Sequence, residues 1–539
     1  MAHVVRSVRD ILTPHFGEQV TTVACSLALR GRQPLPPIVR HSKLPGSVVR
    51  MALLILIQHG LVVHFDQTER SGRIATYYTL LTDRVFLRPR FPRYIHAAKS
   101  MFKEEGHHIA TTILLHGRLS LKDLLAHPDS VFLDSAKLRD TFVHMVHQRF
   151  LLGGDSKASL SKLDVQLHKE REQVAALGLM PSAKDMRQLQ ASREAQMQEE
   201  LDNAVMVGMK RKPGTSSNEY GAKAYKAFEV DMNAKFTLNF ARFDTYFLRE
   251  AVITYTTVKI NVTAGDLLRQ IMTMIDTAAL ASSSSATTHT VTPAQVAHQL
   301  PVTDLPMDYV EFQVDLPQKV ADYMDLLDGI DVLVKDTNKD VYAVASPTQL
   351  KTLLQQQYLV RHIESRFGKY AARIWRALHV KGGKLEEKQI ATVTMLPVNE
   401  ARSHCYAMVQ EGFLEMIPVA KSADRAPTRS FYVLSQDLAK AARNVHAALH
   451  QALCNAAERL AIVSKTVETE LGASLEARKR AARRQAVIHA MAGGEDPSQV
   501  EEVMLEGEEL DEVQEKYETA QAQLRAAILR MDRDLLLFE

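Results

Sequence analysis

Apolar residues Ile11, Leu12, Phe16, Val20, Val23 and Leu27 have the three-and-four spacing of one helical face, which predicts a helix over about 10–29. Gly31 ends it, and Pro34, Pro36 and Pro37 lead into a short helix or turn at 38–41. Pro45 stands where a first-turn proline belongs, so 47–59 reads as a third helix, stopped by Gly60. Leu61 to Phe65 then reads as a strand, 66–72 as a charged polar turn, and 73–80, rich in Thr and Tyr, as the returning strand.

The same order recurs along the chain. Residues 93–151 predict helices at 94–115, 121–126 and 135–149 before the strand start Phe150-Leu151-Leu152. Residues 241–345 predict helices at 246–255, 264–280 and 317–325, then a hairpin from 332–334 to 341–344. Residues 348–434 predict helices at 350–367, 371–379, 386–392 and 399–410, with strands at 413–417 and 430–434. Three helices followed by a hairpin is the winged-helix arrangement, whose third helix can enter a groove and whose wing can touch phosphates.

From 438 onward Leu438, Ala442, Val445, Leu449, Leu453, Ala456, Leu460, Val463, Val467 and Leu471 step by three or four, a narrow seam. Gly493-Gly494 and Pro497 interrupt it, and Leu510, Val513, Tyr517, Ala520, Leu524, Ile528 and Met531 resume it. Two long helices joined this way predict a folded-back pair. The expected fold class is therefore mainly α with small β-hairpin wings: four tandem winged-helix domains followed by an antiparallel coiled-coil hairpin. The expected bounds are 1–83, 84–153, 241–346 and 347–435 for the four domains. Residues 154–240 form a polar, partly disordered linker or insert, and 436–539 the coiled coil.

Composition narrows the function. The 539 residues carry a net charge of only +3, so contact with nucleic acid has to come from local patches. The longest aliphatic run, Met51 to Ile57, is far short of the roughly 20 residues a membrane span needs. The N-terminus meets polar residues before any signal-peptide core, and Cys25, Cys405 and Cys454 are too scattered for a disulfide framework, so a reducing compartment is expected. Catalytic motifs are missing. Gly368-Lys369 has Ile363 where a phosphate loop needs its earlier glycine and Tyr370 where it needs Ser or Thr, His362-Ile363-Glu364 has no thiolate pair behind it, and His107-His108 point to different sides of a helix. A binding or assembly protein with no cofactor, no metal and no small-molecule substrate is expected.

Charge picks out candidate contacts. Arg84, Arg88, Arg90, Arg93, Lys99 and Lys103 fall in a stretch without Asp or Glu, with Phe86, Phe91 and Tyr94 interleaved, a pattern able to neutralise phosphates. Lys43, Arg50, Arg70 and Arg73 form a second patch on the first helix-and-wing unit. Lys381, Lys384 and Lys388 flank Gly382-Gly383, and Lys421, Arg425 and Arg429 surround Pro427 in the last wing turn. Asp322, Asp325 and Asp328 make 317–328 a phosphate-repelling helix suited to protein contact. Leu449, Leu453, Leu460, Val467, Leu510 and Leu524 are the candidate partner-binding positions of the seam. Lys210-Arg211-Lys212 reads either as a solvated loop or as a short nuclear-localisation cluster. Arg478 to Arg484 and the eleven acidic residues between Glu495 and Glu518 would face each other across the hairpin tip, for mutual neutralisation or docking.

Phe91-Pro92-Arg93-Tyr94-Ile95, Arg366-Phe367-Gly368 leading into Ala372-Arg373-Ile374, and Ala426-Pro427-Thr428-Arg429-Ser430-Phe431-Tyr432 resemble the third-largest subunit of RNA polymerase III. The resemblance spans the whole chain in the order of modules, insert and terminal helices. It implies a nuclear, non-catalytic subunit related to the large subunit of general transcription factor IIE. Such a subunit joins two other polymerase III-specific subunits in a heterotrimer on the clamp of the largest subunit. It acts there in promoter opening and initiation of transfer RNA, 5S ribosomal RNA and other short transcripts. The insert is less basic than that family's pattern. The alternative is a free-standing winged-helix regulator that dimerises through its C-terminal helices.

Overall fold

The computed structural model describes residues 2–68, 73–128, 130, 134–154, 159–176, 192–193, 207–211, 228–281, 290–299, 316–336, 341–382, 384–420, 430–467, 469 and 497–538. The chain divides into two compact units. One comprises Met1–Ile253, Asn261–Tyr323 and Lys335–Ala343; the other comprises Thr254–Ile260, Met324–Val334 and Val344–Glu539.

The first unit opens with α1 (Ala2–Arg30), β1 (Gln33–Pro34), α2 (Leu35–Ser42), α3 (Gly46–Gln58), β2 (Val62–Thr68) and β3 (Ile74–Leu80). Helix α1 begins earlier than the apolar spacing predicts and breaks at Gly17 (φ 77°), three residues after Pro14. Leu12, Val20, Val23 and Leu27 are buried with Ile38, Val49, Leu53, Leu56 and Leu61, so the predicted faces do form the core. The sheet order is β1-β3-β2; the two-residue β1, in which Gln33 pairs with Tyr78, is too short to show in an alternation pattern.

A short helix, α4 (Thr82–Phe86), and a 3₁₀ turn (Arg88–Arg90) lead into α5 (Phe91–His116), β4 (Leu119–Ser120), α6 (Leu121–Leu125), α7 (Ser135–His147) and β5 (Leu151–Gly154). The expected boundary at 153 needs correcting. The central strand of this sheet is β8 (Lys235–Leu238), in the order β4-β8-β5, so the insert lies inside the second wing. Burial of Phe236, edge-on to Phe142 at 5.3 Å, and of Leu238 fixes that return. The insert holds α8 (Lys162–Ala176) and a strand pair, β6 (Met209–Arg211) with β7 (Phe228–Val230). Lys210 and Arg211 are thus strand residues rather than loop; Lys212 lies outside the described residues.

Next in chain order are α9 (Phe240–Lys259), α10 (Val262–Ala281), β9 (Thr290–Val291), α11 (Pro293–Gln299), α12 (Leu316–Asp328), β10 (Leu333–Lys335) and β11 (Tyr342–Val344), with β9 antiparallel to β11.

The second unit contains α13 (Pro347–Phe367), α14 (Lys369–Val380), β12 (Lys384–Glu386), α15 (Glu387–Thr394), α16 (Val398–Gln410), β13 (Leu414–Ala420), β14 (Ser430–Gln436), α17 (Leu438–Thr466) and α18 (Pro497–Leu535). Ser346 and Gln349 form a capping box that starts α13. Trp375, Leu378, Ile363 and Met408 centre the core, into which Phe538 packs from the chain's end. Gln355 Nε2 donates to the Leu537 carbonyl at 2.6 Å, and the Tyr358 and Phe538 rings meet at 5.3 Å. Helices α17 and α18 lie against each other. Ala441 and Val445 of the seam are buried. Leu449, Leu453, Leu460, Val467 and Leu524 are half-buried, and the side chain of Leu510 lies outside the described residues.

Candidate nucleic-acid and subunit interface

The Arg84–Lys103 stretch is not one basic surface. Arg88 and Arg90 are 6% and 1% exposed, which removes them from the phosphate-contacting set. Arg88 lies over the Phe16 ring at 4.2 Å and within 3.3 Å of His59 Nδ1. Burial brings its pKa down to about 10, and burial with the Arg88 charge brings His59 to about 4. Arg90 stands 3.8 Å from Asp244, whose Oδ1 accepts from the Tyr94 hydroxyl at 2.9 Å. Burial first, then Asp244, raises the Tyr94 pKa. The aromatic residues between these arginines close the same core. Phe91 stacks on Phe240 at 5.7 Å, and Tyr94 packs against Phe243 and Phe247. Arg93, half-buried, sits 4.0 Å over Phe247. Only Arg84, Lys99 and Lys103 are exposed, with Lys99 bonded to Glu104 at 2.7 Å. A buried arginine carries the same letter as an exposed one; the signal available in sequence was the Phe-Pro-Arg-Tyr alternation of aromatic and basic residues.

Lys43, Arg50 and Arg73 are exposed around α3 and the first wing; Arg70 lies outside the described residues. Between them α3 presents Met51 (61% exposed), Leu54 (60%) and Ile55, an apolar outer face that suits protein better than phosphate.

Lys381 and Lys384 are exposed at the end of α14 and in β12, together with Lys388; Lys421, Arg425 and Arg429 lie outside the described residues. Helix α14 adds Lys369, Arg373 and Arg376, all exposed, which the sequence reading passed over although no Asp or Glu occurs between Lys369 and Lys384. Arg376 approaches Glu364 at 3.7 Å. On α16, in the position of a recognition helix, Arg402 Nε and the Tyr406 hydroxyl both donate to Glu387, at 2.9 and 3.1 Å. Asp322 and Asp325 on α12 are exposed. Among the described residues no group of three or more His, Cys, Asp or Glu side chains could hold a metal ion, and no helix is long and apolar enough to cross a membrane.

Helical groups that each carry a small antiparallel sheet have the arrangement of winged-helix domains. Two family models match: the RNA polymerase III subunit RPC82 helix-turn-helix domain over residues 7–67, and the POLR3C C-terminal winged-helix domain over residues 359–436. The chain is 25% identical over 518 residues to human DNA-directed RNA polymerase III subunit RPC3, covering 92% of this chain and 89% of that protein. It is 24% identical over 476 residues to the zebrafish (Danio rerio) RPC3, covering 85% and 84%. Over 107 residues, 20% of this chain and 17% of the relative, it is 33% identical to rpc3 of Aspergillus fumigatus. The resemblance to the third-largest subunit of RNA polymerase III stands: the chain is similar to the RPC3 subunits along most of its length.

Proposed function

We propose that this chain is a non-catalytic RNA polymerase III subunit acting in promoter opening and transcription initiation of transfer RNA, 5S ribosomal RNA and other small RNA genes. In this reading it works in the nucleus, in a heterotrimer with two other polymerase III-specific subunits on the clamp of the largest subunit. The polymerase active site belongs to other subunits. The observation that carries it is similarity along 92% of the chain to a protein named as an RNA polymerase III subunit. Four tandem winged helices supply the docking faces, and α17 with α18 forms the antiparallel coiled coil that anchors the subunit through Leu449, Leu453, Leu460, Val467, Leu510 and Leu524.

The action is mechanical and electrostatic. Exposed cations hold promoter DNA by its phosphates while the bubble opens: Lys43, Arg50, Arg73 and Arg84 on the first unit, and Lys381, Lys384, Lys369 and Arg373 on the second. Arg70, Lys421, Arg425 and Arg429, which fall in the sequence between paired wing strands, extend this set. Arg88 and Arg90 do not belong to it, because a buried guanidinium, over the Phe16 ring for Arg88 and beside Asp244 for Arg90, cannot reach a phosphate without unfolding its surroundings.

Affinity purification of the tagged chain tests the reading. A subunit brings down the polymerase in equal molar amount. A dimer purified without polymerase, binding a specific DNA sequence tightly, would replace it with the free-standing regulator. Charge reversal at Arg84, Lys369 and Arg373 should then slow open-complex formation without releasing the subunit; an unchanged rate removes DNA contact from these residues.

A further inference from the structure

The start of the insert returns to the first wing. Strand β2 is the outer strand of its sheet, and Leu160 forms a parallel bridge with His64 on its open edge. The Ser161 amide donates to the His64 carbonyl at 3.0 Å, and Ser161 Oγ accepts from the Asp164 amide in the first turn of α8. Asp164 pairs with Arg32 at 2.5 Å, and Arg32 lies over the rings of Tyr77 (4.9 Å) and Phe65 (5.8 Å) on the two wing strands. His168, one turn further along α8, closes on Phe65 with ring centroids 6.0 Å apart.

Two features make this contact releasable. It is polar and thin: Leu163 and Leu167 of α8 stay 67% and 40% exposed, so little apolar burial holds the helix down. It also ties down, by charge rather than by burial, an exposed guanidinium that donates to Gln67 Oε1 at 3.3 Å and lies beside two aromatic rings on a sheet. That is the pairing with which proteins hold single-stranded nucleic acid, the cation taking phosphate and the rings stacking on bases.

We propose that residues 159–168 are an intramolecular latch over a single-strand-binding platform made of Arg32, Phe65 and Tyr77. Closed, the latch pairs with the edge of β2 at His64 and neutralises Arg32 with Asp164. Open, it frees the cation and both rings to receive an unpaired strand. The inference rests on the promoter-opening reading, because an opening bubble is what supplies such a strand.

The test uses the full chain and a fluorescein-labelled oligodeoxythymidylate. Asp164→Ala should speed amide exchange across 159–176 and tighten oligonucleotide binding, each by about two- to fivefold, the range an exposed ion pair spans. Arg32→Ala should speed exchange equally but gain no affinity, since it opens the latch and removes the platform's cation together. Asp164→Ala combined with Phe65→Ala should lose the gain. Glu18→Ala, which removes an exposed acid elsewhere, controls for net charge. Unchanged exchange in Asp164→Ala overturns the latch. Faster exchange without tighter binding overturns the platform and leaves a wing edge that serves protein contact. Co-purification with polymerase is read on the same variants, so failure of the subunit reading shows up separately.

Discussion

Replacing Arg90 with Met separates a structural arginine from a DNA-contacting one. The side chain is 1% exposed and Asp244 is 27% exposed, 3.8 Å away. At that distance, with an effective dielectric of about 20, the two charges attract by roughly 4 kcal/mol. Desolvation of the guanidinium cancels part of this. Methionine fills most of the volume and removes the guanidinium charge, while the Tyr94 hydroxyl still donates to Asp244. A net loss of about 2 kcal/mol is expected, smaller than for a fully buried pair because Asp244 still reaches water. In a unit of this size, whose unfolding entropy is about 0.7 kcal/mol/K, that lowers Tm by about 3 °C. Differential scanning calorimetry of the full chain reads the shift in one of its transitions, and the salt dependence of DNA binding is measured in parallel. A buried arginine leaves the slope of log affinity against log salt unchanged, whereas loss of a phosphate contact flattens it by about one. An unaltered Tm together with a flatter slope would refute the packing argument.

Acid should weaken the first unit through His59. Its folded pKa of about 4 lies below the ordinary 6.5, so between those values the unfolded chain takes up a proton that the folded chain refuses. Stability is full above pH 6.5, falls through that window and levels off below about 4; His59→Gln should flatten the urea midpoint over this range, recovering up to about 2 kcal/mol after allowance for partial exposure. Gly117→Ala should destabilise the same unit by about 2 kcal/mol or more, because φ is 80° and a Cβ would fall 2.6 Å from the Gln58 carbonyl oxygen; a melt within about 1 °C of the unaltered chain would contradict this. Phe538→Ala should cost the second unit about 2 kcal/mol, less than for a fully buried ring, and should speed amide exchange at the C-terminal end of α18 more than in α5.

Most helices were legible because helix formation is local: the three-to-four spacing of Val20, Val23 and Leu27, or of Ile374 and Leu378, marks a buried face without reference to any distant residue. The second wing was not, because its central strand returns some eighty positions after β5, and Lys235–Leu238 is too short to announce a partner. The exposed cations were visible as residue types, but their surroundings were not. Arg88 and Arg90 read like Arg84, yet Phe16, His59 and Asp244 enclose them from elsewhere in the chain.

The sequence by itself therefore determined the helices, the repeated order of helices and hairpins, the near-neutral charge and the family resemblance, all carried by spacing and composition along the chain. Only the tertiary structure decided which arginines face water, where the insert belongs and what covers the first wing. Those outcomes depend on burial and on pairing between distant residues, and a side chain's charge is available to a partner only if the fold leaves it in solvent.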